Sequence, residues 1–140
     1  MLVILDVNVF VSAAITPNGV ARSVVQAGIE GRFDYVVCAT LLDEVSDVLA
    51  RPKISRLLPA GAAQRFVADV RGRARHEDDL PLPARATRDP GDDYLVALAV
   101  EAGVDAIVTG DADLLDLRDP PVPVIGLRAF FETLESSTTE

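Results

Sequence analysis

Carboxylates are the one chemically versatile group this chain holds in quantity: 22 Asp and Glu stand against one histidine, one cysteine and one lysine in 140 residues. Several sit where an acid is costly. The apolar run Leu2–Leu5 closes on Asp6, with Asn8 two residues on, and the run Ala106–Thr109 leads into Gly110-Asp111-Ala112-Asp113. Asp92 and Asp93 open Tyr94–Val100, a stretch apolar on nearly every side of a helix. In a helix from Thr40, Leu41, Leu42, Val45, Val48 and Leu49 make one apolar face. Asp43 and Asp47 point away from that face, and Glu44 falls on its border. Each acid has a plain structural account, as a turn residue, a cap or a charge facing a helix dipole. Together they suit a divalent cation, which relieves the repulsion among clustered carboxylates and keeps them ionised. Magnesium takes oxygen ligands, usually one or two carboxylates plus water, and such an ion activates water and offsets charge on a phosphate.

The remaining composition removes other chemistries. One histidine excludes a two-histidine acid–base site, and His76 lies in the polar run Arg73–Asp79, read as a solvated face. Lys53 stands beside Pro52 in a charged stretch. Cys38 has no partner for an internal disulfide or a multi-cysteine metal site, and is read as a small buried hydrophobe in a strand. Neither G-x-G-x-x-G nor G-K-[ST] occurs. The opening residues lack a basic leader and no apolar run has membrane-spanning length, so a cytoplasmic protein with no membrane association is expected. The net charge of −9 speaks against general nucleic-acid binding, but it is unevenly spread. Arg51 to Arg88 holds nine bases and four acids, net +5; the rest holds four bases and eighteen acids. An acidic metal site beside a basic surface able to hold a phosphate backbone fits that asymmetry, as does a salt-bridged helical surface.

Placing these acids together requires alternating strands and helices. Strands are expected at Leu2–Leu5, Tyr35–Ala39, Ala106–Thr109 and Val122–Ile125. Helices are expected at Val9–Ile15, Val20–Glu30 (stopped by Gly31), Thr40–Ala50, Ala60–Arg75, Pro90–Ala102 (stopped by Gly103) and Arg128–Leu134. Thr40 is expected to cap its helix with Asp43 as capping-box partner. Leu80–Arg88 reads as a proline-spaced connector. One α/β domain over residues 1–135 follows, with a disordered tail at 136–140 and a mainly parallel sheet whose right-handed crossovers bring strand ends to one edge. Sites in such sheets lie beyond the carboxyl ends of the strands, where Asp6 and Asp111 fall. Phe130 and Phe131 on the last helix read as core, with a dimer surface as the alternative.

The ordered set Asp6-Val7-Asn8-Val9, Leu41-Leu42-Asp43-Glu44-Val45, Asp93-Tyr94-Leu95-Val96-Ala97 and Val108-Thr109-Gly110-Asp111-Ala112-Asp113-Leu114 resembles the PIN-domain family, most nearly the VapC-like toxins of bacterial type II toxin–antitoxin pairs. The likeness runs from Met1 to about Leu127. It implies a three-layer α/β/α fold and Mg2+- or Mn2+-dependent endoribonuclease activity on RNA, with a cognate antitoxin and a homodimer. It puts Asp6, Glu44, Asp93 and Asp111 in the four acidic positions, with Asp92 and Asp113 auxiliary. On this footing Asp6 and Asp93 hold the principal metal. Glu44 holds a second ion or orients water, and Asp111 ligates directly or through water. Val7 stands where relatives often carry threonine, which implies a missing hydrogen bond behind the metal. Two rival classes share these features: a magnesium-dependent phosphoryl-transfer or receiver protein, which needs a lysine at the site, and a non-catalytic PIN-like module that binds a partner.

Overall fold

The computed structural model of the chain describes residues 1–79 and 90–138, the side chains of 90–93 and 137–138 excepted. Five short runs pair into one five-stranded, wholly parallel sheet: β1 (Leu2–Leu5), β2 (Asp34–Val37), β3 (Arg75–His76), β4 (Ala106–Thr109) and β5 (Val124–Gly126), in the order β3-β2-β1-β4-β5. Val3, Ile4, Leu5, Val36, Val37, Ile107 and Val108 are fully buried, as strands covered by helices on both faces must be. The connecting helices are α1 (Val7–Ile15), α2 (Val20–Ile29), α3 (Ala39–Ala50), α4 (Pro52–Ser55), α5 (Ala62–Arg73), α6 (Pro90–Ala102), α7 (Ala112–Leu115) and α8 (Leu127–Thr138). This is the expected α/β fold.

Strand order reverses at β1. The chain steps outward from β1 to β2 and β3, then crosses back to place β4 on the other side of β1. Right-handed crossovers in opposite directions put their helices on opposite faces of the sheet. One layer holds α1, α2, α3, α5 and α8, with α1 against α2 and α3, α5 against α2 and α3, and α8 against α2; α6 lies on β1 and β4. The β1–β4 boundary is therefore a topological switch point, the place where doubly wound sheets open a crevice.

Several boundaries differ from the expectations, each for a physical reason. Strand β3 was not foreseen because both its residues are exposed and polar; only backbone pairing makes it a strand, continued by Glu77 N–H donating to the Val37 carbonyl at 2.9 Å. The helix expected to begin at a Thr40 cap begins at Ala39, with Cys38 as N-cap and no side-chain capping bond. Thr40 N–H instead donates to the carboxylate of Asp79, 3.0 Å away, so a distant acid replaces the Asp43 capping box. The last helix runs past Leu134 to Thr138, and Ser136–Thr138, expected in the tail, are helical. The connector Leu80–Arg88 lies outside the described residues. Gly31 and Gly103 follow α2 and α6 with φ of 86° and 67°, the left-handed conformation that ends a helix.

An aromatic group locks the helical layer onto β2. Tyr35 donates its hydroxyl to the Val70 carbonyl at 2.6 Å, which ties α5 to the sheet, and burial pushes that phenol up to about 12. Phe33 packs edge-on to Tyr35 and to Phe130, with ring centroids 6.2 and 5.1 Å apart. Phe130 is thus core, as read from the sequence. Gly28 of α2 lies against this group: a Cβ there would meet Phe33 Cζ at 2.9 Å and Tyr35 Cδ1 at 3.0 Å. Helix propensity favours alanine at that position by about 1 kcal/mol, yet rings held on several sides cannot withdraw. Gly28→Ala is expected to destabilise the protein by about 1–3 kcal/mol, measured as a lowered urea midpoint at unchanged slope.

Candidate active site

Register decides which side chains meet. Leu5 pairs with Val108 across β1 and β4, and Asp6 N–H continues the ladder by donating to the Val108 carbonyl at 3.0 Å. One step past the pairing, Asp6 and Thr109 stand side by side. They are the two polar residues buried among the described ones, 7% and 0% exposed. Thr109 Oγ1 donates to Asp6 Oδ2 at 2.7 Å and accepts from Asp111 N–H at 2.9 Å. Asp111 Oδ1 in turn accepts from Asp113 N–H at 2.9 Å, which caps α7. A single relay runs Asp6–Thr109–Asp111–Asp113, orienting two carboxylates from two strands.

Val7 leaves no hydroxyl behind Asp6, and the side-chain hydrogen bond its carboxylate accepts comes from Thr109 on the neighbouring strand. Sequence reasoning assigned Thr109 no role. Its one signal was a polar residue ending an apolar strand, which strand termini show routinely.

Asp6, Glu44 and Asp111 line one cavity of about 280 Å3 together with Val7, Asn8, Leu41, Val48, Arg51, Tyr94 and Leu95. The cavity opens beyond the carboxyl ends of β1 and β4. Three of the four acids singled out in the sequence therefore converge on one space. The fourth, Asp93, and its neighbour Asp92 lie in the first turn of α6 with side chains outside the described residues. Asp113 is in the relay and does not line the cavity. Lys53 and His76 stand apart from it, and His76 Nε2 is 2.9 Å from the Arg71 carbonyl. A larger cavity of about 420 Å3 lies between α3, α4 and α5, and no carboxylate among the described residues lines it.

Tyr94 and Arg51 also line the cavity, and sequence reasoning gave neither a role there. Tyr94 is buried on α6, with its hydroxyl in hydrogen-bond contact with Cys38 Sγ. Cys38 is buried as expected, and burial pushes the pKa of both groups up, so thiol and phenol stay neutral at ordinary pH. The pair ties the start of α3 to α6, the two helices that flank the cavity.

The donor set fits a hard cation in kind. The acids are oxygen donors, and Asp6 is a buried carboxylate that is held by the Thr109 hydroxyl and also lines the cavity. Among the described residues no three acids converge closely enough to hold an ion. Magnesium asks for only one or two carboxylates and completes its shell with water, so this spacing is compatible with it. Burial raises the Asp6 carboxyl above its ordinary value. The Thr109 hydroxyl is the strongest opposing influence, followed by the Asn8 amide; the Asp111 charge adds to the rise, and the Val7 amide opposes it.

This fixes the sign of a pH effect. A raised folded-state value means the folded protein holds its proton longer than the unfolded chain does. The free protein then loses stability as pH climbs from the ordinary carboxylate range through the folded value, and it carries a costly buried charge above that. In EDTA, Asp6→Asn is expected to melt roughly 3 °C above wild type at pH 7, with the gap closing as pH falls toward 3.8. A variant that melts below wild type at pH 7 sinks this account.

The family model described as "PIN domain" matches residues 2–113. An uncharacterized protein of Methanocaldococcus jannaschii is 28% identical over 119 residues, covering 84% of this chain and 75% of its own length. Among solved structures, the chain is similar to one from Pyrobaculum aerophilum (TM-score 0.68, 16% identity, 97% of this chain and 96% of that one). It is also similar to VapBC2 of Rickettsia felis, solved bound to a DNA fragment from its promoter (TM-score 0.60, 12% identity, 90% of this chain and 98% of that one). At these identities the structural likenesses speak for the fold.

Proposed function

The chain belongs to the PIN domain family, and from that premise we propose that it is a divalent-metal-dependent endoribonuclease, the toxin of a type II toxin–antitoxin pair. The observation that carries the reading is the Asp6 carboxylate: buried at the switch point, oriented by Thr109, and facing a cavity shared with Asp111 and Glu44. Burying an acid there destabilises the empty protein. Binding a cation explains the cost.

Asp6 and Asp93 are the residues to hold the principal ion, Asp93 by its family position, with Asp111 ligating directly or through water and Glu44 at the rim to take a second ion or orient water. Asp92 and Asp113 are auxiliary. A bound Mg2+ or Mn2+ would supply an acidified water and charge stabilisation at the scissile phosphate. The chain's own part is positional. Thr109 fixes the Asp6 oxygen, Asp113 N–H fixes Asp111, and the Cys38–Tyr94 contact holds the two flanking helices at a set spacing.

RNA is the proposed substrate and the cytoplasm the proposed site of action; no helix among the described residues is long and apolar enough to cross a membrane. An antitoxin protein and a homodimer complete the proposal, and the Rickettsia felis neighbour, itself a VapBC protein, supports the antitoxin. A second reading, a non-catalytic PIN module that binds a partner, draws on the absence of a tight trio of acids among the described residues. The phosphoryl-transfer alternative needs a lysine at the site, and Lys53 does not line the cavity.

A pool of structured RNAs should be cut with Mg2+ or Mn2+ and left intact in EDTA, and Asp6→Asn should lower the rate at least ~1,000-fold with the fold retained. Cutting that survives Asp6→Asn rejects the site, and no cutting with any metal favours the partner-binding reading. Thr109→Val keeps the volume of the side chain but removes the hydroxyl. It is expected to weaken Mn2+ binding by calorimetry roughly 10- to 100-fold. Unchanged affinity would show that the relay has no part in holding the ion.

A further inference from the structure

Helix α3 presents a stripe to the acid cavity. Leu41, Glu44, Val48 and Arg51 line it at spacings of three, four and three residues, the repeat of a single helix face. Leu41 is fully buried and Val48 half-buried; Glu44 and Arg51 are exposed toward the opening. Arg51 is the one cation among the described residues that line this cavity. Seven residues separate it from Glu44, about 10 Å of helix rise, beyond the three- or four-residue spacing of intrahelical ion pairs.

The backbone holds Arg51 firmly. It is at once the C-cap of α3 and the N-cap of α4, at φ −62° and ψ 138°. Pro52 follows and disfavours helical geometry in the residue before it. Arg51 N–H donates to the Val48 carbonyl at 3.2 Å, and its own carbonyl accepts from Ile54 at 2.9 Å and Ser55 at 2.8 Å. An arginine on a fixed junction, at the mouth of a cavity whose other charged lining groups are carboxylates, cannot serve as a cation ligand. It suits the other component of the reaction, an anion.

We propose that Arg51 is a substrate-binding residue, a guanidinium clamp that donates to the non-bridging oxygens of an RNA phosphodiester and seats it over the acid cluster. The inference rests on the nuclease reading. It resolves a problem that reading creates: a cavity lined by acids repels a polyanion, and a fixed cation at its edge gives the phosphate one favourable approach. The planar fork of arginine matches two phosphate oxygens at once, which a lysine cannot reproduce. An arginine at the C-terminal end of α3 also faces the negative end of the helix dipole, and a lysine would serve that role equally well.

The test compares Arg51→Ala, Arg51→Lys and the control Arg56→Ala, which removes a nearby arginine outside the cavity, in metal-dependent cleavage and in Mn2+ calorimetry. Arg51→Ala should lower kcat/KM roughly 100-fold and Arg51→Lys roughly 10-fold, with Mn2+ affinity kept or tightened and Arg56→Ala unchanged. Arg51→Ala within threefold of wild type, full activity in Arg51→Lys, or a matching loss of Mn2+ affinity overturns the proposal. Should wild type cut no RNA, the nuclease reading falls separately, and fluorescence anisotropy with a labelled single-stranded RNA in EDTA decides the clamp. A loss of affinity of about tenfold or more in Arg51→Ala then supports it, and unchanged affinity overturns it.

Discussion

A single carboxylate, buried where strand order reverses, sets the terms for the rest of this molecule. Asp6 follows directly on the central strand and is 7% exposed. A charge in that position is tolerated only with hydrogen-bond donors or a counter-charge. The structure meets part of that need through the Thr109 hydroxyl and the amides of Val7 and Asn8. The remainder is left facing a cavity. Stability and the proposed function pull apart at this point: the acid weakens the empty fold, and on the proposed reading it is what would draw a cation into the cavity.

The parallel sheet makes the arrangement possible. Because β1 and β4 are adjacent and parallel, their carboxyl ends lie at one edge and deliver Asp6 and Asp111 to the same space. Because the crossovers on either side of β1 run in opposite directions, α3 and α6 diverge there and a crevice opens between them. The Cys38–Tyr94 contact bridges that divergence at its base, and Asp79, hydrogen-bonded to Thr40 N–H, anchors the start of α3 from a third stretch of chain. The hydrogen bond to that amide holds the Asp79 carboxyl below its ordinary range, as an anion at a helix start should be.

Charge is graded across the cavity and not uniform. The acids occupy the strand ends and the middle of α3, and Arg51 stands where α3 gives way to α4. The basic stretch that begins at Arg51 was visible in the sequence as an imbalance, but the structure disperses much of it. Arg65 and Arg71 line two other cavities, and among the described residues of the stretch Arg51 is the one that lines the acid cavity. An uneven charge distribution along a chain is therefore a poor guide to which cation meets a substrate.

The sequence by itself determined the alternation of strands and helices, the parallel sheet, and three acids that share a space. Those features are written locally: apolar runs of strand length, helical spacing, glycines at helix ends, and acids standing where an apolar element stops. The same local logic placed Glu44 on the border of an apolar helix face, and that border lines the cavity. Only the tertiary structure decided what holds the acids. Thr109 reaches Asp6 because the β1–β4 register sets them level, and register belongs to neither strand alone. Asp79 displaced the Thr40–Asp43 capping box because a long-range partner outcompeted a local one. Strand β3 exists through backbone pairing that no side chain announces. Arg51 looked like one arginine among many until a helix of fixed pitch carried it, two turns beyond Glu44, to the mouth of the same cavity.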